Sequence, residues 1–218
     1  MNSKEFIAKR VAKELNNGDI VNLGIGLPTM VANYVPDDIE VTFQSENGFL
    51  GLGPAPEEGK EDKDLANAGG QPVTILTGGC YFDSATSFSI IRGGHVDITV
   101  LGALQVDQDG NLANFMIPKK LIPGMGGAMD LVTGAKRVIV ATEHCTKKGA
   151  PKILKECVYP LTGAKVVDAI VTELAFLSVT DEGLVLKELA PDVTVEEVIS
   201  KTDANLIIPD DIKLMDVE

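Results

Sequence analysis

The feature that most narrows what this chain can become is a repeated phrase: a short apolar run, a glycine turn, then a segment with helical spacing. Residues 19–22 read as a strand, Gly24-Ile25-Gly26-Leu27-Pro28 as a turn, and Pro28 as a preset first helical residue leading through Met30 and Val31 toward Tyr34. The phrase returns with strands at 39–43 before Ser45-Glu46-Asn47-Gly48, at 73–76 before Thr77-Gly78-Gly79, and at 96–101. A further strand at 137–141 follows the helical stretch Gly127-Ala128-Met129-Asp130-Leu131-Val132. Helices fill the intervals. Over residues 3–17, Phe6, Ile7, Val11 and Leu15 fall on one face and Gly18 stops the helix; residues 84–91 form another, closed by Gly93-Gly94. Strands alternating with short helices specify an α/β fold, layered, with a largely parallel or mixed sheet flanked by helices.

Two stretches leave that pattern. Residues 104–117 alternate apolar and polar around Asp109-Gly110, the signature of a tight hairpin, and residues 176–189 do the same around Glu182-Gly183, so an antiparallel edge is expected. Thr194 is placed to cap a helix, with Glu197 completing a capping box, and residues 204–209 supply a last strand. Residues 54–64 are polar enough for a mobile surface loop. With 218 residues, 44% of them hydrophobic, the chain suits one domain spanning 1–218.

Nineteen basic against 32 acidic residues give a formal net charge of -13, which disfavours nucleic acid and anionic membrane as partners, since both reward clustered Lys and Arg. The pairs Lys119-Lys120 and Lys147-Lys148 read as solvated surface. Cys80, Cys145 and Cys157 form no C-x-x-C pair and indicate neither a disulfide framework nor a metal site; buried, reduced thiols are expected. No signal-type leader and no run long enough to span a bilayer stand out, so a cytoplasmic location is expected. His95 and His144 lack a nucleophile context and read as structural or surface residues, and Arg92 as a charge at a helix C-terminus.

In an open parallel sheet, ligands lie beyond the carboxyl ends of the strands, so the turns after strands carry the chemistry. Asn22-Leu23-Gly24-Ile25-Gly26 offers backbone N–H groups to an anion, although a tight structural turn explains it as well. Gln44-Ser45-Glu46-Asn47-Gly48 places one carboxylate at a strand end, with Asn47 positioned to orient it and Phe49 and Leu50 to exclude water. Residues 123–131, Pro-Gly-Met-Gly-Gly-Ala-Met-Asp-Leu, put flexible backbone before a helix, a layout suited to donating N–H groups to a developing oxyanion; close helix packing explains it equally.

Together NLGIGLPT, QSENGFLGLGP, NAGG, IRGGHVD, NFMIPKK, PGMGGAMDLV and YPLTG closely resemble the β subunit of class I CoA-transferases, closest to bacterial acetate or butyrate:acetoacetate enzymes, over nearly the whole chain. The resemblance implies a CoA-transferase-like fold and Glu46 as a nucleophile forming a glutamyl-CoA thioester. It also implies Gly127 N–H as an oxyanion donor, Asn22 as an orienting residue, and Lys120 as a CoA phosphate contact. It implies no bound cofactor, CoA and acyl-CoA as substrates beside a carboxylate, and an α-subunit partner in an αβ or α2β2 assembly. Succinyl-preferring relatives typically carry lysine where this chain has Gly70, which points to monocarboxylic acids; Phe115 and Lys119 also depart from the common N-W-x-x-P-G-K stretch. An acyl-CoA hydrolase, using water in place of the second acid, and a non-catalytic binding subunit are the rival readings.

Overall fold

The computed structural model describes residues 1–120 and 124–217. The first helix, α1 (Ser3–Ala12), opens with a capping box between Asn2 and Glu5. It ends five residues short of the expected 17, because single tight turns from Glu14 N to Val11 O and Leu15 N to Ala12 O finish it, while Leu15 still points inward. Strand β1 (Ile20–Leu23) follows, then a 3₁₀ helix over Leu27–Tyr34 with Pro28 in its first turn. Strands β2 (Thr42–Ser45), β3 (Phe49–Leu52) and β4 (Ile75–Tyr81) precede α2 (Ser84–Arg92), capped by Asp83. Next come β5 (Ile98–Leu101), the short hairpin β6 (Gln105–Asp107) and β7 (Leu112–Ala113), α3 (Ala128–Gly134), β8 (Arg137–Ala141) and β9 (Ile153–Leu154). The chain closes with β10 (Ala169–Val171), β11 (Ala175–Thr180), β12 (Gly183–Leu189), α4 (Val195–Lys201), β13 (Leu206–Ile207) and β14 (Lys213–Leu214).

The order across the main sheet is β13-β12-β11-β10-β8-β5-β1-β2-β3-β4, with β14 also on β12. Its centre, β2-β1-β5-β8-β10, is parallel; β10-β11-β12 on one side and β2-β3-β4 on the other are antiparallel. The expected hairpin at Glu182-Gly183 is the β11-β12 pair, and that at Asp109-Gly110 is β6-β7, which joins β9 in a separate three-stranded sheet. Strands β3, β9, β10 and β14 were not expected, and β4 runs from Ile75 through Thr77-Gly78-Gly79, where a turn after a strand at 73–76 was expected. The second strand begins at Thr42 rather than 39, because residues 36–39 form a turn closed from Ile39 N to Pro36 O.

Both faces of the parallel centre are covered. Alternate residues Val138 and Val140 of β8 face the layer of α2, α3 and α4, whereas Ile139 and Ala141 face α1 and the 3₁₀ helix. Each fully buried Ile, Leu or Val contributes about 1.5–3 kcal/mol of hydrophobic stabilisation. Arg10, buried on α1, fastens that helix to β12 through two hydrogen bonds to Glu188, at 2.6 and 2.8 Å. At α4, Thr194 accepts from Glu197 N as expected, while the Glu197 carboxylate takes Lys201 Nζ at 2.7 Å. Among the described residues, no helix is long and apolar enough to cross a membrane.

Candidate active site

The parallel centre reverses direction once: from β1 the chain goes to β2 on one side, then to β5 on the other. The crevice beyond the carboxyl ends of β1 and β5 is therefore the place where loops diverge and a ligand has room. A cavity of about 490 Å³ lies there, lined by Gly24 and Ile25 after β1, Gly102 to Leu104 after β5, and Glu46 after β2. The loop before α3, Gly124 to Gly127, forms its other wall. Pro123, also part of that motif, lies outside the described residues.

Glu46 stands half-buried in the turn between β2 and β3. Asn22 Nδ2 donates to its Oε2 at 3.0 Å, as expected of an orienting residue. The expectation for Asn47 fails: its exposed side chain points away and donates to Ala66 O at 2.8 Å, bracing the loop that carries Asn67 to Gly70. Gly48 makes the turn possible, with φ 132° and an added Cβ only 2.3 Å from Phe82 O. Gly24 lines the cavity, yet its N–H is committed to Val100 O at 2.8 Å, so it is not offered to an anion. Gly26 lies outside the cavity lining; it starts the 3₁₀ helix, and its carbonyl accepts from the Thr29 hydroxyl at 2.7 Å.

Gly126 and Gly127 both line the cavity. Gly127 is buried immediately before α3, and among the described residues nothing accepts from its N–H. A Cβ built there would lie 3.5 Å from Glu46 Cγ, so the carboxylate stem and this backbone face each other across the cavity. Lys120 is exposed and outside the described lining. Apart from Glu46, none of the described lining residues carries a charge. A second cavity, of about 410 Å³, shares Ile25 with the first and is lined by neutral groups that include Gln44, Asn67, Gly69 and Gln71.

Beneath the carboxylate, the resemblance pointed to Asn22, but sequence reasoning missed Gln44, Thr99 and Ser87 beside it. Gln44, Asn22 and Thr99 occupy register partners on β2, β1 and β5, all buried. Asn22 Nδ2 donates to Gln44 Oε1 at 2.7 Å, and Gln44 Nε2 donates to Ser87 Oγ of α2 at 2.9 Å. The polar residue inside each strand was the available signal.

Further along the same sheet edge, beyond β8 and β10, His144 is fully buried between Thr172 Oγ1 at 2.9 Å and Thr202 Oγ1 at 2.8 Å. Burial, then the charge of Lys201, lowers its pKa to about 4. His95 is exposed, and Arg92 pairs with Asp130 of α3 at 2.6 Å. Cys145 and Cys157 are free and half-buried, with burial raising both thiols; Cys80 is free and exposed, against the expectation of burial, because it lies on the sheet's outermost strand.

The family described as Coenzyme A transferase matches residues 4–201. A Haemophilus influenzae protein named as the beta chain of acetate CoA-transferase is 59% identical over all of this chain and 97% of its own length. A Helicobacter pylori protein named as one of the subunits of succinyl-CoA:3-ketoacid coenzyme A transferase is 54% identical over 92% of this chain and 97% of its own. Among solved structures, the acyl-CoA transferase YdiF apoenzyme from Escherichia coli O157:H7 superposes with a TM-score of 0.79 at 22% identity. That likeness covers 99% of this chain but 44% of that one.

Proposed function

This chain belongs to the coenzyme A transferase family, and from that premise we propose that Glu46 is the nucleophile that carries CoA between an acyl-CoA and a short-chain carboxylic acid. The observation that supports this most is a single carboxylate, held by an Asn22 N–H at 3.0 Å, beside a Gly127 backbone whose N–H has no acceptor among the described residues, in a cavity at the strand-order reversal. Attack of a Glu46 oxygen on the acyl-CoA carbonyl breaks the C–S bond, giving a mixed anhydride and CoA thiolate. The thiolate then attacks the glutamyl carbonyl and expels the first carboxylate, leaving a glutamyl-CoA thioester. An incoming carboxylate runs the two steps in reverse and leaves as the new thioester. In this reading the Gly127 N–H donates to the oxyanion of each tetrahedral intermediate. Apolar Leu101, Leu104 and Met125 keep water from the anhydride and thioester.

CoA enters as substrate, and no further cofactor is required by these steps. The neutral linings of both cavities favour monocarboxylic acids over diacids, because a second carboxylate would find no cation there. Acetate, butyrate and acetoacetate are the proposed acids. The cations that CoA phosphates require come from outside this lining: Lys120, four residues before Gly124, is this chain's contribution, and an α subunit in an αβ or α2β2 assembly supplies the rest. Both of these relatives are named as parts of a larger enzyme, which supports a two-subunit assembly.

The test uses the assembled enzyme, incubated with acetoacetyl-CoA and quenched with hydroxylamine. Peptide mass spectrometry should find the hydroxamate on Glu46, and Glu46→Ala should lose transfer by about 10⁴-fold or more while assembling normally. Wild-type rates in that variant defeat the nucleophile. Acyl-CoA consumption that ignores added acetate would instead identify a hydrolase.

A further inference from the structure

We propose that Gln44 is a positioning residue for the nucleophile, acting through Asn22: the chain Ser87–Gln44–Asn22 fixes which end of the Asn22 carboxamide faces Glu46. The inference rests on the reading of Glu46 as nucleophile. A carboxamide presents a donor at one end and an acceptor at the other, whereas a carboxylate only accepts. Both hydrogens of Asn22 Nδ2 have a recipient, Gln44 Oε1 at 2.7 Å and Glu46 Oε2 at 3.0 Å, with Gln44 O further off at 3.3 Å. Turning the Asn22 amide over would set its carbonyl against two acceptors at once. Gln44 in turn is held by donation to Ser87 Oγ at 2.9 Å, from a helix 43 residues away in sequence.

The rest of the row shows that this orientation serves the carboxylate more than the fold. Asn22 Oδ1, fully buried, has no hydrogen-bond partner among the described residues, so the amide is fixed by what its nitrogen does. Without Gln44, one of the two acceptors that oppose rotation is gone, and Oδ1 loses nothing by moving. Ser87 also immediately precedes Phe88, whose ring would lie 3.1 Å from a Cβ at Gly127. One turn of α2 thereby positions both walls of the site, the nucleophile through the amide chain and the Gly127 backbone through the ring.

The substitution that isolates this role is Gln44→Met, close in length and without an amide. In the assembled enzyme, kcat and the rate of hydroxylamine capture at Glu46 should fall about tenfold while KM for acyl-CoA stays within about twofold. The melting temperature should stay near that of the wild type. Because Gln44 acts through Asn22, Gln44→Met added to Asn22→Ala should slow the enzyme no further than Asn22→Ala alone. Ser87→Ala should give a smaller loss in the same direction, and it carries the prediction if Gln44→Met does not assemble. A wild-type kcat in both variants, or a Gln44→Met loss that multiplies fully with that of Asn22→Ala, overturns the inference. Either outcome is distinct from failure of the underlying reading, in which the wild-type enzyme itself is not captured at Glu46.

Discussion

His144 supplies a stability readout that does not pass through activity. Its ring is fully buried between two threonine hydroxyls, and burial followed by the charge of Lys201 lowers its pKa from 6.5 to about 4. Between those two values the unfolded chain binds a proton at this side chain and the folded chain does not. The stability it confers is therefore complete above pH 6.5, falls as the pH drops, and levels off near pH 4. At about 1.4 kcal/mol per tenfold change in proton affinity, the whole window is worth about 3 kcal/mol, of which about 2 kcal/mol is lost between pH 7 and pH 5. Carboxylates titrate in the same region, so the comparison is with His144→Gln, which keeps an amide between Thr172 and Thr202 and removes the titration. Urea unfolding at pH 7, 6 and 5 should show the wild-type midpoint falling by roughly 0.7 M more than that of the variant. The variant should be the less stable protein at pH 7, with the gap closing toward pH 5. Parallel pH dependences in the two proteins would refute the reasoning, because the buried imidazole would then not be the group that takes up the proton.

Two further substitutions separate the site from the scaffold. Gly127 has φ −85°, which any residue adopts, and an added methyl would lie 3.1 Å from Phe88 Cζ and 3.5 Å from Glu46 Cγ. Gly127→Ala should fold, with a melting temperature lowered by a few degrees at most, yet lose about 10- to 100-fold in kcat because the methyl enters the space of the reacting carbonyl; an unchanged kcat would remove Gly127 from the acyl site. Gly48→Ala should instead lose about 3 kcal/mol or more, or fail to fold, because φ is 132° and the methyl would sit 2.3 Å from Phe82 O. A melt matching the wild type would mean that the turn under Glu46 relaxes freely.

The parts of the fold legible in the sequence are those whose burial is uniform. Ile98–Leu101 and Arg137–Ala141 are covered on both faces by helices, so they read as mostly apolar runs, interrupted in the first only by Thr99 and preceded in the second by Arg137. Ala169–Val171 is equally buried but only three residues long, too short for periodicity to register, and Phe49–Leu52 is a strand because of its partners across two hairpins. Helix α1 was overextended because Leu15 continues the apolar spacing after the helical hydrogen bonds have ended. Within the site, Glu46 was legible as a lone carboxylate at a strand end beside a glycine. Asn47 was the natural guess for its orienting partner, yet in the turn between β2 and β3 its exposed side chain is taken by the Ala66 carbonyl of the neighbouring loop. Gln44 and Ser87 were invisible for the complementary reason: their contact spans 43 residues and exists only because β2 lies beneath α2.

The polar row beneath the carboxylate is not something the sheet needs. On the opposite face of the same strands, Val21, Ile98 and Val100 are apolar and fully or almost fully buried, so side chains of that kind satisfy the packing of β1 and β5. On the α2 face, the register partners Asn22 and Thr99 are wholly buried, and Asn22 Oδ1 and Thr99 Oγ1 are the atoms left without a hydrogen-bond partner among the described buried side chains. Each such atom costs about 1–3 kcal/mol, set against a net stability of about 5–15 kcal/mol for a folded domain. Both fall on β1 and β5, the pair flanking the strand-order reversal, and Asn22 is the residue that donates to Glu46. A cost concentrated at that one crossing is what a held carboxylate entails: the amide must keep its donor toward the charge, even though its acceptor end then finds nothing to bind.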